Sequence, residues 1–418
     1  MLKTKARTGV FYGYIIVLTS LLILVVMHGI NTTFGVFFSQ LQNQFGWDRA
    51  RISVGSSLAF FLTGAFSIAS GKLTDRYGPK FTMTASCLLL GAGYFMMSRM
   101  NSLWQLYVFY GLIVAMGNSG GDIALLPTTA RWFVRGRTFM SACVKVGTGI
   151  GIFVVPLIAA WLIVNYGWRT AYEVLGIAAF VLIFAFSRFL KKEPSEMGLE
   201  PYGAHDAAAT KKATAGVNLT LREVLRTWQF WTISISYFFV WFSTQSIMVH
   251  IAPHAVDTGF SVSQAAGIVS IIGGASIAGR LTIGWGGDRL GNRKAIIACF
   301  FVLLVALSWL QFASARWMLY AFAPVYGFAH GGFFSVLSPF VAELFGTKSH
   351  GSNLGMLFFV GMSGGAVGPI FTGHLYDITH DYHAAFLMLL LSGAAGLTLA
   401  AVLKPVRGNR IAKSSSPA

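Results

Sequence analysis

Twelve apolar segments, each long enough to cross a bilayer, divide this 418-residue sequence. Hydrophobic residues make up 55% of the chain and charged residues only 11%, whereas a soluble domain carries about 25% charged residues. A helix rises about 1.5 Å per residue, so about 20 apolar residues cross a hydrocarbon core of ~30 Å. The predicted spans are 12–39, 51–73, 80–98, 103–130, 138–164, 168–190, 228–253, 262–286, 293–313, 317–344, 351–375 and 383–404. The sequence therefore predicts an all-α membrane protein with twelve transmembrane helices.

Lysine and arginine are distributed unequally between the two ends of these spans. If both termini lie on one side, 24 of the 31 Lys and Arg residues fall on that side and five on the other, while Lys145 and Arg280 lie inside spans. Such an excess is typical of the cytoplasmic side, so we expect both termini in the cytoplasm. We expect the formal net charge of +17 to meet the anionic lipid of a prokaryotic inner membrane, with no nucleic-acid partner.

Several chemical functions lack a signature in this sequence. The three cysteines all lie in apolar stretches, which argues against a disulfide framework or a metal site. The glycine-rich runs lack the strand context of a nucleotide-binding loop, and no nucleophile–base pair appears. The sequence therefore predicts neither an enzyme nor a bound cofactor.

The chain contains an internal repeat of six spans. The pattern Gly-x-x-x-Asp-Arg-x-Gly occurs at Gly71–Gly78 after the second span and again at Gly284–Gly291 after the eighth, 213 residues later. A polar stretch at 191–227 separates the halves, so we predict the following parts: an N-terminal six-helix bundle at 1–190, a cytoplasmic linker at 191–227, a C-terminal six-helix bundle at 228–405 and a cytoplasmic tail at 406–418. Parallel repeats of this kind form one of the transporter architectures.

These paired turns resemble the signature loop of the major facilitator superfamily, and the resemblance covers the whole chain. It implies two bundles that rock about a central cavity by alternating access. It also implies that the turns, with Asp75, Arg76, Asp288 and Arg289, latch the cytoplasmic side when the protein faces outward. The alternative is that these residues are ordinary cytoplasmic loop charges.

A narrower resemblance is to the monocarboxylate transporters and the related oxalate–formate exchangers. It rests on Tyr12-Gly13-Tyr14 at the start of span 1, on the motif Arg131-Trp132-Phe133, on Arg135-Gly136-Arg137 and on Arg280 in span 8. A buried arginine costs about 2.5–3.5 kcal/mol on insertion scales and marks function by default. The resemblance implies that Arg280 binds the carboxylate of a substrate. The alternative is that its side chain snorkels to the cytoplasmic interface.

Two further charges lie inside spans, Asp122 in span 4 and Lys145 in span 5. A buried pair is the simplest arrangement, because either charge alone is expensive in the membrane. The pair is either a fixed structural contact or one that substrate or a proton breaks, and Lys145 is also a candidate second anion-binding cation. His250 and His330 are candidate proton carriers, because histidine exchanges a proton near neutral pH. The alternative for each histidine is a hydrogen-bonded packing residue.

Four other side chains are candidate substrate contacts. Spans 1, 4, 7 and 10 line the cavity in the resembled superfamily, which singles out Asn118 and Tyr326. Ser363 in span 11 is a further polar candidate, and Phe359 is a candidate apolar wall for a short carbon chain. The alternatives are hydrogen bonds between helices for the polar residues and lipid contact for the phenylalanine.

The sequence departs from the narrower family pattern at three positions. Ser276 stands where the animal-type transporters carry an aspartate, and Thr32 stands where they carry a lysine. Gly361 stands where the oxalate exchanger carries a second cation. In that family the aspartate and the lysine handle the proton, so the route of proton coupling in this chain must differ or be absent. With Arg280 as the one assured cavity cation, a monoanion is the better match.

We therefore expect a secondary active transporter for a small monocarboxylate such as lactate or pyruvate, with a proton as partner. One alternative is an anion exchanger for oxalate-like dicarboxylates, with Lys145 as its second cation. A different class is a carboxylate sensor that binds its ligand but does not move it.

Overall fold

The computed structural model describes residues 11–47, 49–204, 219–260, 262–313, 315–379 and 381–403. These residues form an all-helical protein, and twelve of its helical segments are long and apolar enough to cross a membrane. The prediction of twelve spans is confirmed. In chain order, spans 1–4 are built from Tyr12–Thr32 with Phe34–Phe45, Arg49–Tyr77, Pro79–Ser98, and the pieces between Leu103 and Trp132. Spans 5 and 6 are the two arms of Arg137–Ser187, and spans 7–12 are Trp228–Asp257, Val262–Leu290, Asn292–Gln311, Arg316–Phe345, His350–Thr379 and His383–Val402.

The signature stretches are helical for most of their length. Span 2 continues to Tyr77 and span 8 to Leu290, so the chain reverses at Gly78 and Gly291 alone. Both glycines have a positive φ, 86° and 93°, which L side chains rarely adopt. The two signature aspartates therefore lie in the last turn of a helix, where their direction is fixed by the helix, and not in a flexible loop.

Span 4 is the least regular of the twelve. It starts as Leu103–Leu106, continues as a π-helix at Tyr107–Val114, returns to an α-helix at Ala115–Asn118 and resumes as Gly121–Trp132. Stretches of π-helix and broken helices concentrate at functional sites in membrane proteins, where neighbouring groups satisfy the freed backbone. The break at Ser119-Gly120 places Asp122 in the first turn of the last piece.

The two halves of the chain touch mainly along two pairs of spans, 2 with 11 and 5 with 8. Ser67 of span 2 donates a hydrogen bond to the carbonyl oxygen of Gly355 in span 11 over 2.6 Å. In the other pair, Thr138 of span 5 donates to the side chain of Asn292 just beyond span 8 over 2.8 Å. Both contacts lie towards the ends that carry Gly78 and Gly291. The described halves are therefore joined on the side that the charge distribution predicts to be cytoplasmic.

Candidate functional site

Arg280 is buried at the centre of the protein, with 2% of its surface exposed. Its Nη1 donates a hydrogen bond to the hydroxyl of Ser276, one helical turn nearer the membrane centre. Helical side chains point back towards the start of their helix, which is also the direction away from the cytoplasmic end of span 8. The guanidinium therefore does not have the geometry of a snorkelling arginine. Its Nε has no hydrogen-bond partner among the described residues.

Asp122 and Lys145 form the buried pair that their positions in the sequence suggested. The Lys145 Nζ lies 3.0 Å from each Asp122 carboxylate oxygen. The two side chains are 5% and 10% exposed, so the pair lies almost entirely out of solvent. A third residue completes the contact, because Nε2 of His28 in span 1 lies 3.5 Å from Asp122 Oδ2. The His28 side chain is 32% exposed and is the most accessible of the three.

Arg280 belongs to the same cluster of charges. It interacts electrostatically with both Asp122 and Lys145. The Arg280 guanidinium packs closely against span 5 because residue 149 is a glycine. A Cβ added at Gly149 would lie 3.3 Å from Arg280 Nη1 and 2.8 Å from the side chain of Ile277. A larger residue would push the guanidinium or its helix away from span 5.

An aromatic group lies against these charges. The ring of Phe334 lies 5.9 Å from Lys145 Nζ, 5.4 Å from the His330 ring and 4.8 Å from the Trp241 ring, measured to centroids. His330 Nδ1 and Trp241 Nε1 are buried and have no hydrogen-bond partner among the described residues. The cluster therefore combines cations with buried nitrogens that have no hydrogen-bond partner among the described residues.

The charges of this cluster do not cancel. Arg280 and Lys145 are cations and Asp122 is the one carboxylate that contacts them in the described part of the chain. With neutral histidines the site carries a formal charge of +1. A monovalent anion would make it neutral.

The other predicted contact residues already have partners within the protein. The Asn118 amide donates to Asn31 Oδ1 over 2.9 Å, and the Tyr326 hydroxyl donates to the Thr244 carbonyl over 2.9 Å. Ser363 donates to the carbonyl of Phe359 in its own helix over 2.8 Å. The Phe359 ring lies 6.1 Å from that of Phe61, across the interface of spans 2 and 11. In this conformation Asn118 and Tyr326 join helices, as the alternative interpretation expects, whereas Ser363 bonds within its own helix. The roles of all these residues towards a substrate stay predictions.

His250 lies apart from the charged cluster. Its Nδ1 is 3.2 Å from the Tyr382 hydroxyl and its Nε2 is 3.0 Å from the Pro369 carbonyl oxygen, so it packs among spans 7, 11 and 12. His254, one turn further along, packs against the rings of Tyr382 and Phe386. The structure does not bring these histidines together with Arg280, whereas it does bring His330 there.

Asp75 joins the two halves at the predicted cytoplasmic side. Its carboxylate accepts hydrogen bonds from the backbone N–H of Gly351 and of Ser352, over 3.1 and 2.8 Å, at the first turn of span 11. Arg131 Nη2 donates to the same carboxylate over 2.7 Å, and its Nε donates to the Thr347 carbonyl. A carboxylate is stabilised at a helix N-terminus by the free N–H groups and the helix dipole.

Asp288 makes the equivalent contact in the other direction. Its two oxygens accept from the backbone N–H of Thr138 and Phe139, over 2.9 and 2.8 Å, at the first turn of span 5. The receiving positions are related by the same 213-residue offset as the aspartates, since 351 and 352 correspond to 138 and 139. Each half therefore caps a helix of the other half with the same pair of groups. We call these two contacts the latch.

Arg76 and Arg289 lie outside the latch in the described structure. Both side chains are exposed, and they stack over the rings of Tyr77 and Trp285 at 5.1 and 4.1 Å. The arginine that meets Asp75 is Arg131, from the end of span 4. The repeated sequence pattern pointed to Arg76, the arginine next to Asp75, but the arginine that contacts Asp75 comes from another span.

Three residues of the site were not singled out from the sequence. His28 could have been found as an ionisable residue inside span 1, the signal that identified Asp122 and Lys145. Trp241 and Phe334 carry no such signal, because aromatic residues make up 15% of this chain and most of them face lipid or pack between helices. Their place in the site appears only in the folded structure, where Phe334 of span 10 lies against Lys145 and Trp241 of span 7 lies against Phe334.

Comparisons with known proteins agree with this fold. Residues 20–296 and 234–416 match the profile described as Major Facilitator Superfamily. The chain is 27% identical over 395 residues to monocarboxylate transporter 13 of Bos taurus, covering 92% of this chain and 88% of that protein. It is 26% identical to monocarboxylate transporter 12 of Rattus norvegicus, covering 90% and 82%.

Two solved structures share the fold at low sequence identity. The fucose:proton symporter FucP of E. coli superimposes with a TM-score of 0.71 at 15% identity, covering 95% of this chain and all of that one. The proton:xylose symporter XylE superimposes with a TM-score of 0.74 at 14% identity, covering 93% and 94%.

Proposed function

The chain belongs to the major facilitator superfamily and is a multi-pass membrane transporter of a small solute, and we propose that its solute is a small monocarboxylate, carried together with a proton. The substrate would be a short anion of the lactate or pyruvate type, and the membrane a prokaryotic inner membrane. The relatives named monocarboxylate transporters support this substrate class, at identities of 26–27%.

One observation carries the proposal: Arg280 is buried with an unpartnered Nε inside a cluster of net charge +1. Buried polar groups normally have hydrogen-bond partners, and a buried charge is costly without them. A carboxylate provides two acceptor oxygens in the geometry of the guanidinium fork and cancels the charge. His330 Nδ1 and Trp241 Nε1 offer further polar contacts for a hydroxyl or keto oxygen beside the carboxylate.

A dicarboxylate fits this site less well. At Gly361 an added Cβ would lie 2.8 Å from the Trp241 ring, so an indole occupies the space that a second cation on span 11 would need. Lys145 could serve as that cation, which is the observation that favours an exchanger, but Asp122 already binds it through both oxygens. With neutral histidines, a dianion would leave the cluster with a formal charge of −1, whereas a monoanion would leave it neutral.

Alternating access follows from the latch. The contacts of Asp75 and Asp288 close the predicted cytoplasmic side, so we interpret this conformation as one that faces outward. Opening to the cytoplasm requires both carboxylates to leave the helix ends that they cap. We propose that the two bundles, 1–190 and 228–405, rock against each other, joined by the linker 191–227.

Uptake into proteoliposomes tests this function. A panel of short mono- and dicarboxylates is offered with and without an inward proton gradient, to wild type, Arg280→Ala and Arg280→Lys. We expect gradient-stimulated uptake of a monocarboxylate by wild type, loss in Arg280→Ala, and partial activity in Arg280→Lys, because lysine keeps the charge but not the fork. Arg222→Ala, at an exposed position outside the spans, is the control.

Normal uptake by Arg280→Ala would contradict the assignment of the anion site. Oxalate exchange at a rate that does not depend on the pH gradient would favour the anion-exchanger alternative. A wild-type flux no greater than that of empty liposomes, with binding retained, would favour the sensor.

A further inference from the structure

His28, Asp122 and Lys145 form a chain of contacts that runs from a partly exposed side chain to the buried anion site. The His28 ring is 32% exposed, Asp122 is 10% exposed and Lys145 is 5% exposed, so accessibility decreases along the chain. Asp122 is the shared partner, at 3.5 Å from His28 Nε2 and 3.0 Å from Lys145 Nζ. Lys145 in turn interacts with Arg280.

We propose that His28 is the binding site of the co-transported proton and that it acts on the anion site through Asp122 and Lys145. This inference rests on the proposed function, because it assigns the coupling residue of that same transport cycle. His28 was not among the residues selected from the sequence, and it lies in span 1, in contact with the Asp122 carboxylate.

The charged surroundings of His28 are few in the described part of the chain. Span 1 carries no other Asp, Glu, Lys, Arg or His between Tyr12 and Phe45. Span 4 contributes Asp122 and span 5 contributes Lys145. Beyond them, span 8 contributes Arg280 and span 10 contributes His330, both in electrostatic contact with Lys145 or with each other. Asp122 is therefore the one anion through which a charge on His28 can reach the cations.

The coupling follows from the sharing of that carboxylate. With a neutral imidazole, Asp122 is committed to Lys145 and the cluster has a formal charge of +1. A protonated His28 is a second charged donor to Asp122, which weakens the hold on Lys145 and raises the formal charge to +2. Lys145 then adds its attraction for an anion to that of Arg280.

Thermodynamic reciprocity couples the binding of the proton to the binding of the anion. If the proton tightens anion binding, the anion tightens proton binding by the same factor. Both ligands therefore load together and leave together. The loaded form carries the same formal charge as the empty form, since one proton and one monoanion cancel.

The pH dependence of anion binding tests the proposal. Purified protein in nanodiscs is titrated with lactate or pyruvate, whichever wild type transports, between about pH 6 and 8. One linked proton changes affinity by at most about tenfold per pH unit. We expect wild-type affinity to rise by about tenfold or more as the pH falls across this range, and His28→Gln to bind with little pH dependence.

A second variant tests the charged state of the same position. His28→Arg places a permanent cation beside Asp122, so we expect affinity close to the acidic wild-type value at every pH. His374→Gln, at an exposed position in span 11, should keep the wild-type profile. A His28→Gln protein with the wild-type pH profile would overturn the assignment.

Transport distinguishes a coupling role from a structural one. In proteoliposomes, a one-unit inward proton gradient supports up to about tenfold accumulation for a one-to-one symporter. We expect His28→Gln to lose this accumulation while counterflow, which needs no net proton movement, continues at a measurable rate. Loss of both activities together would indicate a structural role and contradict the proposal.

The proposal and the function on which it rests fail differently. If wild type moves no carboxylate at all, the substrate assignment is wrong. If wild type moves one and His28→Gln still accumulates it with the gradient, only the proton site is wrong.

Discussion

At the scale of single residues, the main feature of the site is that Arg280 is buried without a carboxylate hydrogen-bonded to it among the described residues. Burial removes the guanidinium from water, and the described structure supplies only the Ser276 hydroxyl in return. In the resembled transporters an aspartate stands at the position of Ser276, so that position there carries a charge opposite to that of the arginine. A hydroxyl can accept a hydrogen bond but cannot cancel a charge. The substitution therefore leaves the neutralising charge to come from a ligand or from Asp122.

Gly149 provides a residue-scale test of the anion site. In Gly149→Ala the new methyl group would press on Ile277 at 2.8 Å and on Arg280 Nη1 at 3.3 Å, so the guanidinium must shift. We expect an increase of several-fold in KM for the anion, because small displacements of a positioning group are costly to binding. The matched control is Gly273→Ala in span 8, where an added Cβ meets nothing within 4 Å and KM should stay unchanged. An unchanged KM in Gly149→Ala would argue against the placement of Arg280.

At the scale of elements, the latch depends on helix ends. Each signature aspartate satisfies two backbone N–H groups at the start of a helix in the other half, which are orphan donors in any isolated helix. A cap of this kind contributes about 0.5–2 kcal/mol. Two caps in one interface are therefore enough to bias the population of the closed conformation while leaving it able to open.

Removal of one cap should slow transport while preserving binding. We expect Asp75→Ala and Asp288→Ala each to destabilise the closed conformation by about 1 kcal/mol, a change of about fivefold in the ratio of the two states. Turnover in proteoliposomes should fall, while carboxylate binding measured by calorimetry persists. Glu196→Ala, on the exposed surface of the linker, is the control. Turnover equal to wild type in both aspartate variants would show that the caps do not govern the cycle.

The elements themselves were largely predictable, because hydrophobic length alone locates a transmembrane helix. The prediction ended some helices too early at polar residues: span 2 was predicted to end at 73, but it continues through Asp75 and Arg76 to Tyr77. Polar residues at a membrane surface resemble a loop in composition, but Gly78 with Pro79 is the true breaker. The pairing of Asp122 with Lys145 was predictable, because either charge alone in the membrane would be energetically costly. The contact of Asp122 with His28 was not, because it depends on the packing of span 1 against spans 4 and 5.

At the scale of the whole molecule, the repeat explains the symmetry of the closure but not the chemistry of the site. The latch obeys the 213-residue offset on both its donor and its acceptor sides. Arg280 does not, because its counterpart in the first half is Ser67, whose hydroxyl binds the Gly355 carbonyl at the interface of spans 2 and 11. The shared scaffold thus provides the motion, and residues found in one half only provide the anion site.

The central claim is that a monocarboxylate binds to Arg280, and calorimetry of purified protein tests it most directly. The ligand is the monocarboxylate taken up by wild type, titrated into wild type, Arg280→Lys and Arg280→Ala, with the matching dicarboxylate as a second ligand. Truncating one partner of a buried charged pair costs about 2–5 kcal/mol, or roughly 30-fold to more than 1,000-fold in affinity. The account predicts one-to-one binding by wild type, preference for the monoanion and a loss of this size in Arg280→Ala. Affinity within about twofold of wild type in Arg280→Ala would contradict it.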